Sequence, residues 1–200
     1  MRFSLKEISS LLLTIAAVST SSLVAQSAPA ADKPLPAELA VDYTYMRSNA
    51  PPGGCGCFML NGGSGTVDWP IKPKHFAVVA DLTITTASKI DSTNLNLTLG
   101  IFTAGARYRF PLGHSRVHPY AQVMAGGAHA SGTLTLPPNP AYSNASLAFA
   151  AQVGGGVDIG VSRRFSWRLV DADYLVTTFD NTSNNHQNNT RLSSGLVIHF

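Results

Sequence analysis

Hydrophobic and polar positions alternate with a period of two along most of this chain. The carboxyl-terminal stretch shows it clearly. Phe200, Ile198, Leu196, Ser194 and Leu192 fall on one face, which is mostly apolar. Arg191, Ser193, Gly195, Val197 and His199 fall on the other. Successive side chains of a strand point to opposite faces, so this period predicts a β-strand and not a helix. A terminal strand exposes unpaired N–H and C=O groups, and closing the sheet on itself removes that edge. The greasy face belongs outside and the semi-polar face inside, as in a barrel dissolved in lipid.

The same alternation predicts seven further strands. In Ala37–Arg47, Leu39, Val41, Tyr43 and Tyr45 share one face, opposite Glu38, Ala40, Asp42, Thr44 and Met46. A long loop, Ser48–Ser64, precedes Gly65–Ile71, where Val67, Trp69 and Ile71 face one way. Phe76–Thr86 sets Phe76, Val78, Ala80, Leu82 and Ile84 against Asp81, Thr83 and Thr85. Asn94–Phe110 changes parity between Leu95, Leu97, Leu99, Ile101 and Phe102, Ala104, Tyr108, Phe110. A bulge near Gly100–Phe102 would reconcile the halves and turn Arg107 and Arg109 inward. Val117–Ala130 carries Gln122 on its inner face. Ser146–Val161 turns Phe149, Val153, Val157, Ile159 and Val161 out, and Gln152, Gly154, Gly156, Asp158 and Gly160 in. Phe165–Phe179 sets Asp171 and Asp173 opposite Val170, Ala172, Tyr174 and Val176. Eight strands, joined alternately by short turns and longer polar loops, predict an all-β, antiparallel, up-and-down transmembrane barrel.

Composition narrows the picture. Charged residues are 12% of the 200-residue chain, well under the roughly 25% of a soluble domain. Mean hydropathy is only +0.09, as expected when one face meets lipid and the other does not. The net charge of +3 is not gathered into a block, which leaves nucleic-acid binding without an electrostatic footprint. Residues 1–30 read as a signal peptide: Arg2 and Lys6 form a basic start and Leu11–Val18 an apolar core. That core is shorter than the roughly 20 residues of a membrane helix. Residues 31–36, with Pro34 and Pro36, read as a linker, and residues 37–200 as the barrel.

From about Ala37 to Phe200 the chain resembles the OmpA-like family of eight-stranded outer-membrane β-barrels. The resemblance is carried by the strand ending on Phe200, the eight-strand rhythm, Gly154-Gly155-Gly156-Val157-Asp158 and Ala172-Asp173-Tyr174-Leu175. It implies an integral protein of the cell outer membrane, surrounded by outer-membrane lipid. It also implies folding by the barrel-assembly machinery through the terminal strand. No peptidoglycan-binding domain follows the barrel, so the tethering role of longer relatives is not expected.

Candidate chemistry is concentrated on the inner faces. Eight strands enclose a bore that side chains can fill. Glu38, Asp42, Asp81, Gln122, Gln152, Asp158, Asp171 and Asp173 are set against Arg107, Arg109 and Arg191. Charges withdrawn from water must be paired, which predicts an ion-pair and hydrogen-bond plug; a narrow pore gated by re-pairing is the alternative. Cys55 and Cys57 lie in the first loop, where loop rigidity or a strained bridge is expected before metal or redox work. His129 with Ser131, or His186 with Ser183 and Asp180, could be drawn as the site of an enzyme acting on lipid A or peptides. Such pairs are common in polar loops, and no Gly-x-Ser-x-Gly elbow is present. Tyr43, Tyr45, Trp69, Tyr108, Phe110, Tyr120, Trp167, Tyr174, Phe179 and Phe200 are expected mostly near strand ends, as interfacial girdles. A soluble lipocalin-like carrier would reverse the faces, lining its cavity with the Val/Phe set. The expected role is structural or surface-binding, without catalysis and without a cofactor.

Overall fold

The computed structural model describes residues 37–72, 75–112, 115–132, 145–179 and 186–200, apart from 49–57 and 91–94. The predicted signal peptide, the linker, Cys55 and Cys57 lie outside the described residues. Eight antiparallel strands run in order: β1 (Glu38–Ser48), β2 (Phe58–Ile71), β3 (Phe76–Ile90), β4 (Leu95–Arg109), β5 (Val117–Ser131), β6 (Ala145–Gly160), β7 (Phe165–Thr177) and β8 (Gln187–His199). Each pairs with its sequence neighbour, and β1 closes on β8. That last seam runs from Glu38 opposite His199 to Ser48 opposite Asn189. The Phe200 N–H donates to the Ala37 carbonyl at 3.0 Å, so pairing continues past the end of β8. The terminal strand therefore has no free edge, which is what closure accomplishes.

The face assignment follows the alternation over most of the sheet. Val41, Leu82, Ile84, Phe149, Val153 and Leu196 are exposed on the outside, and Asp42, Asp81, Gln152, Asp158 and Asp173 are buried. This is the reverse of a soluble carrier, in which the apolar set would fill the centre.

Four local expectations are corrected. First, β4 has no bulge at Gly100–Phe102. Its pairing with β3 and β5 passes through these residues without a shift. Leu97, Leu99 and Ile101 therefore share the inner face with Thr103 and Arg107 and are buried. Second, the first loop is shorter than expected because β2 begins at Phe58. Asn61-Gly62-Gly63-Ser64 reads as a turn but is strand. A Cβ at Gly62 would run into the Ile84 carbonyl, so glycine admits the close approach of β3 here. Third, Tyr120 is not in an aromatic girdle: it is 4% exposed, inside the barrel. Fourth, Phe179 packs partly buried against the interior apolar cluster.

A register shift in β7 does change a face. Between Arg168 and Asp171 the pairing with β8 slips, and Leu169 and Val170 are both exposed. The two adjacent outward residues mark a bulge. Below it Ser166 and Arg168 face in; above it Asp171 and Asp173 do.

The interior divides into two halves. Toward the ends that carry connectors 49–57, 91–94, 132–144 and 178–186, it is apolar: Met46, Leu60, Leu97, Leu99, Ile101 and Leu175 pack together with Ala87, Ala128, Ala130 and Ala150. Toward the end of turns 72–75, 110–116 and 161–164, it is charged.

Candidate functional site

The charged half is built from residues on all eight strands. Arg191 of β8 reaches across the bore to Asp81 of β3 at 2.8 Å and to the Thr83 hydroxyl at 2.7 Å. It also pairs with Asp173 of β7 and lies 3.7 Å from Asp171. Arg107 of β4 pairs with Asp68 of β2 at 2.7 Å. Its Nε–H donates to Gln122 Oε1 at 3.0 Å. Gln122 Nε2 in turn donates to Asp173 Oδ1 at 2.9 Å and Asp171 Oδ1 at 3.1 Å. The amide thus presents its acceptor to the guanidinium and its donors to the carboxylates. A carboxylate at that position would do the first and repel at the second.

Arg168, brought inside by the β7 bulge, pairs with Asp158 at 3.0 Å and with Asp42 at 3.1 Å. The Tyr120 ring contacts two cations, with the Arg107 guanidinium 4.0 Å and that of Arg168 5.3 Å from its centroid. A cation over a π face gains electrostatic attraction that grows when it is desolvated. At the turn end Arg109 grips both oxygens of Glu38 and reaches Asp68 at 2.6 Å. Arg107, Arg168 and Arg191 are among the largest fully buried side chains. Such charges persist only when paired on several sides.

Each inward residue named from sequence therefore has a place. Glu38, Asp42, Asp81, Arg107, Arg109, Gln122, Asp158, Asp171, Asp173 and Arg191 join one network, whereas Gln152 contacts Met124 Sδ at 3.7 Å, at the border of the apolar half. Sequence reading missed Asp68 and Arg168. Asp68 was legible, since Val67 and Trp69 facing out turn it in. Arg168 was not, because its parity is that of the outward Val170 and only the bulge reverses it.

Of the candidate enzyme sets, only His129 with Ser131 falls wholly within the described residues. His129 and Ser131 are on β5, paired across to Gly100 and Thr98 on one side and to Leu147 and Ala145 on the other, with no carboxylate in register. Ser183 and Asp180 lie outside the described residues. A different relay is present at the turn end: Ser166 Oγ lies 2.7 Å from His199 Nε2, and His199 Nδ1 lies 3.2 Å from Glu38 Oε1. It borders a cavity of about 230 Å³ that Arg109, His118 and Tyr120 also line. Ser166 is only 3% exposed, and Glu38 is already committed to Arg109, so the relay is part of the network's lower edge.

A closed eight-stranded barrel with a lipid-facing apolar exterior restricts the family, and comparison decides it. The outer membrane protein β-barrel domain matches residues 13–200. The chain belongs to that family. It is an outer-membrane β-barrel of Gram-negative type. Among solved structures it is similar to Neisserial surface protein A, at 21% identity and a TM-score of 0.59, covering 82% of this chain and 97% of that one. It is also similar to Ail, the attachment invasion locus protein of Yersinia pestis, at 15% identity and a TM-score of 0.54, covering 83% and 99%. Ail in complex with the heparin analogue sucrose octasulfate matches at 15% identity and 0.52, covering 82% and 99%. No curated protein matches the sequence. In this family the short turns face the periplasm and the longer connectors the outside. The charged half of the lumen is thus the periplasmic half.

Proposed function

We propose that this protein is a non-catalytic barrel of the envelope: its lumen is a plug, and its outward connectors are its contact surface. The observation that carries this reading is the layering of the interior. A conducting path would need water beside the charges, and Arg107, Arg168 and Arg191 have none to speak of: each is 1% exposed. It would then have to pass the apolar cluster around Leu99, Ile101 and Leu175, where an ion has no partner. Outer-membrane lipid surrounds the barrel, and the paired terminal strand ending on Phe200 is the segment that the barrel-assembly machinery would read.

The Ail complex raises binding of a sulfated polyanion as a role for the outer surface. This chain does not favour it, since connectors 49–57, 91–94, 132–144 and 178–186 contain no Lys or Arg and hold Asp91 and Asp180. Connectors rich in Asn, Ser and Pro that carry two acids and no Lys or Arg suit an uncharged or cationic partner better. Single-channel recording in planar bilayers tests the plug: the wild-type barrel is expected to give no steady conductance. Open events of fixed size would replace the plug by the pore. Replacing His129 and His186 by Ala and profiling lipid A species tests the absence of catalysis, with an unchanged profile expected.

A further inference from the structure

The two rims of the barrel differ in charge. At the periplasmic rim, turns 72–75, 110–116 and 161–164 contain Lys72, Lys74, Arg116, Arg163 and Arg164, and no Asp or Glu. Arg116, Arg163 and Arg164 are exposed. The acids at this end of the barrel, Asp68, Asp158 and Glu38, point into the lumen and are committed to Arg107, Arg109 and Arg168.

The three arginines stand on a fixed frame. The Arg116 carbonyl accepts from Gly160 N–H at 2.7 Å, and the Arg164 carbonyl from His199 N–H at 2.9 Å. In the β6–β7 turn, the Ser162 hydroxyl accepts from the N–H groups of Arg164 and Phe165, at 3.3 and 3.1 Å. Ser115 Oγ likewise accepts from Val117 N–H at 3.1 Å. The segments around Ser115 and Ser162 are held by their own hydrogen bonds, so the placement of Arg116, Arg163 and Arg164 does not depend on the cations' side chains. Just above them on the outer wall, Trp69, Phe76, Phe110, Phe165 and Trp167 are exposed. Aromatic rings of this kind sit at headgroup level, which puts the arginines beside the lipid phosphates.

We infer that this rim is a binding site for anionic phospholipid headgroups of the periplasmic leaflet. The occupant is chosen by charge and by depth. A bare positive rim would suit any anionic polymer of the periplasm, but a positive rim in line with an aromatic girdle is addressed to the membrane surface. Guanidiniums suit it further, since their fork of donors matches phosphate oxygens. The site deepens the reading of an envelope barrel without resting on the plug. It concerns the outer wall, and a conducting lumen would leave it unchanged.

The chain carries its own reporter. It has two tryptophans, Trp69 and Trp167, and both are exposed at this rim. The folded protein is placed in phosphatidylcholine bilayers that contain a minor fraction of brominated phosphatidylglycerol or brominated phosphatidylcholine, and tryptophan quenching is measured. The expected result is a preference for the anionic lipid on the order of threefold or more at low salt. It should fall toward onefold in 1 M NaCl and in the Arg116→Gln/Arg163→Gln/Arg164→Gln variant. Heat-modifiable gel migration checks that the variant is folded, and the salt series reads the same quantity on the wild-type chain without any substitution. Equal quenching by the two lipids in the wild type overturns the proposal, as does a preference that the triple variant or salt leaves intact. Co-sedimentation with purified peptidoglycan is run alongside. If the variant loses that binding while the two lipids quench equally, the rim serves the cell wall and not the membrane.

Discussion

The two halves of the lumen solve one problem, filling a narrow bore, by opposite means. The periplasmic half uses charge. Glu38, Asp42, Asp68, Asp81, Asp158, Asp171 and Asp173 meet Arg107, Arg109, Arg168 and Arg191, with Gln122 and Tyr120 between them. The outer half uses Leu, Ile, Met and Ala in ordinary hydrophobic packing. The difference is one of tolerance. An apolar layer loses what a side chain contributes plus a cavity when that side chain is cut back. A paired layer loses more, because the partner left behind is a charge without water. The charged half is thus expected to set the register of the closed barrel, and the apolar half to complete its seal.

The sharpest way to break this comparison is Arg191→Leu. It leaves Asp81 and Asp173 buried without their cation, and a loss of about 3 to 5 kcal/mol is expected. The midpoint of urea unfolding, followed by heat-modifiable migration in lipid vesicles, measures it. If Arg191→Leu costs no more than an exposed substitution, the network is ornamental. Next is Leu99→Ala in the apolar half, expected to cost about 2 to 4 kcal/mol by the same measurement. Its effect should be independent of Arg191→Leu, and the double variant should show additive losses. Strong coupling between them would mean that the halves are one unit.

Smaller effects sharpen the picture within the charged half. Gln122→Glu keeps the acceptor for Arg107 but faces Asp171 and Asp173 with like charge, and a loss of about 1 to 3 kcal/mol is expected. Gln122→Met, which repels nothing, should be milder; the reverse order would show that the amide's donors do not matter. Smallest is Tyr120→Phe. Its hydroxyl has no hydrogen-bond partner among the described residues, whereas its ring is stacked by Arg107 and Arg168. Phenylalanine keeps the ring, so a change within about 0.5 kcal/mol is expected, against about 1 to 2 kcal/mol for Tyr120→Leu.

Particular elements show where sequence reading holds and where it stops. In β6, Gln152 and Asp158 alternate with Phe149 and Val153, and both faces are where the period puts them. In β4 the period is equally regular, but near Leu97–Ile101 the apolar face looks in and the face of Asn96 and Thr98 looks out, the reverse of the rest of the sheet. A rule that turns every apolar face toward lipid therefore gives the wrong side here, and the bulge at Gly100–Phe102 was invoked only to keep that rule. In β7 the failure is different in kind. Leu169 and Val170 both turn out because β8 and β6 impose a slip there, and nothing in the seven residues around them announces it.

The chain alone thus determined the number of strands, their closure through the segment ending at Phe200, and the lipid-facing side over most of the sheet. These are local matters, settled by which side chains can lie next to each other along one strand. Only the tertiary structure decided that the outer half of the lumen is apolar and that Arg168 enters it to meet Asp42 and Asp158. Both depend on the register between strands far apart in sequence. Register follows from the sum of pairings around the closed ring, not from the pattern of any one strand.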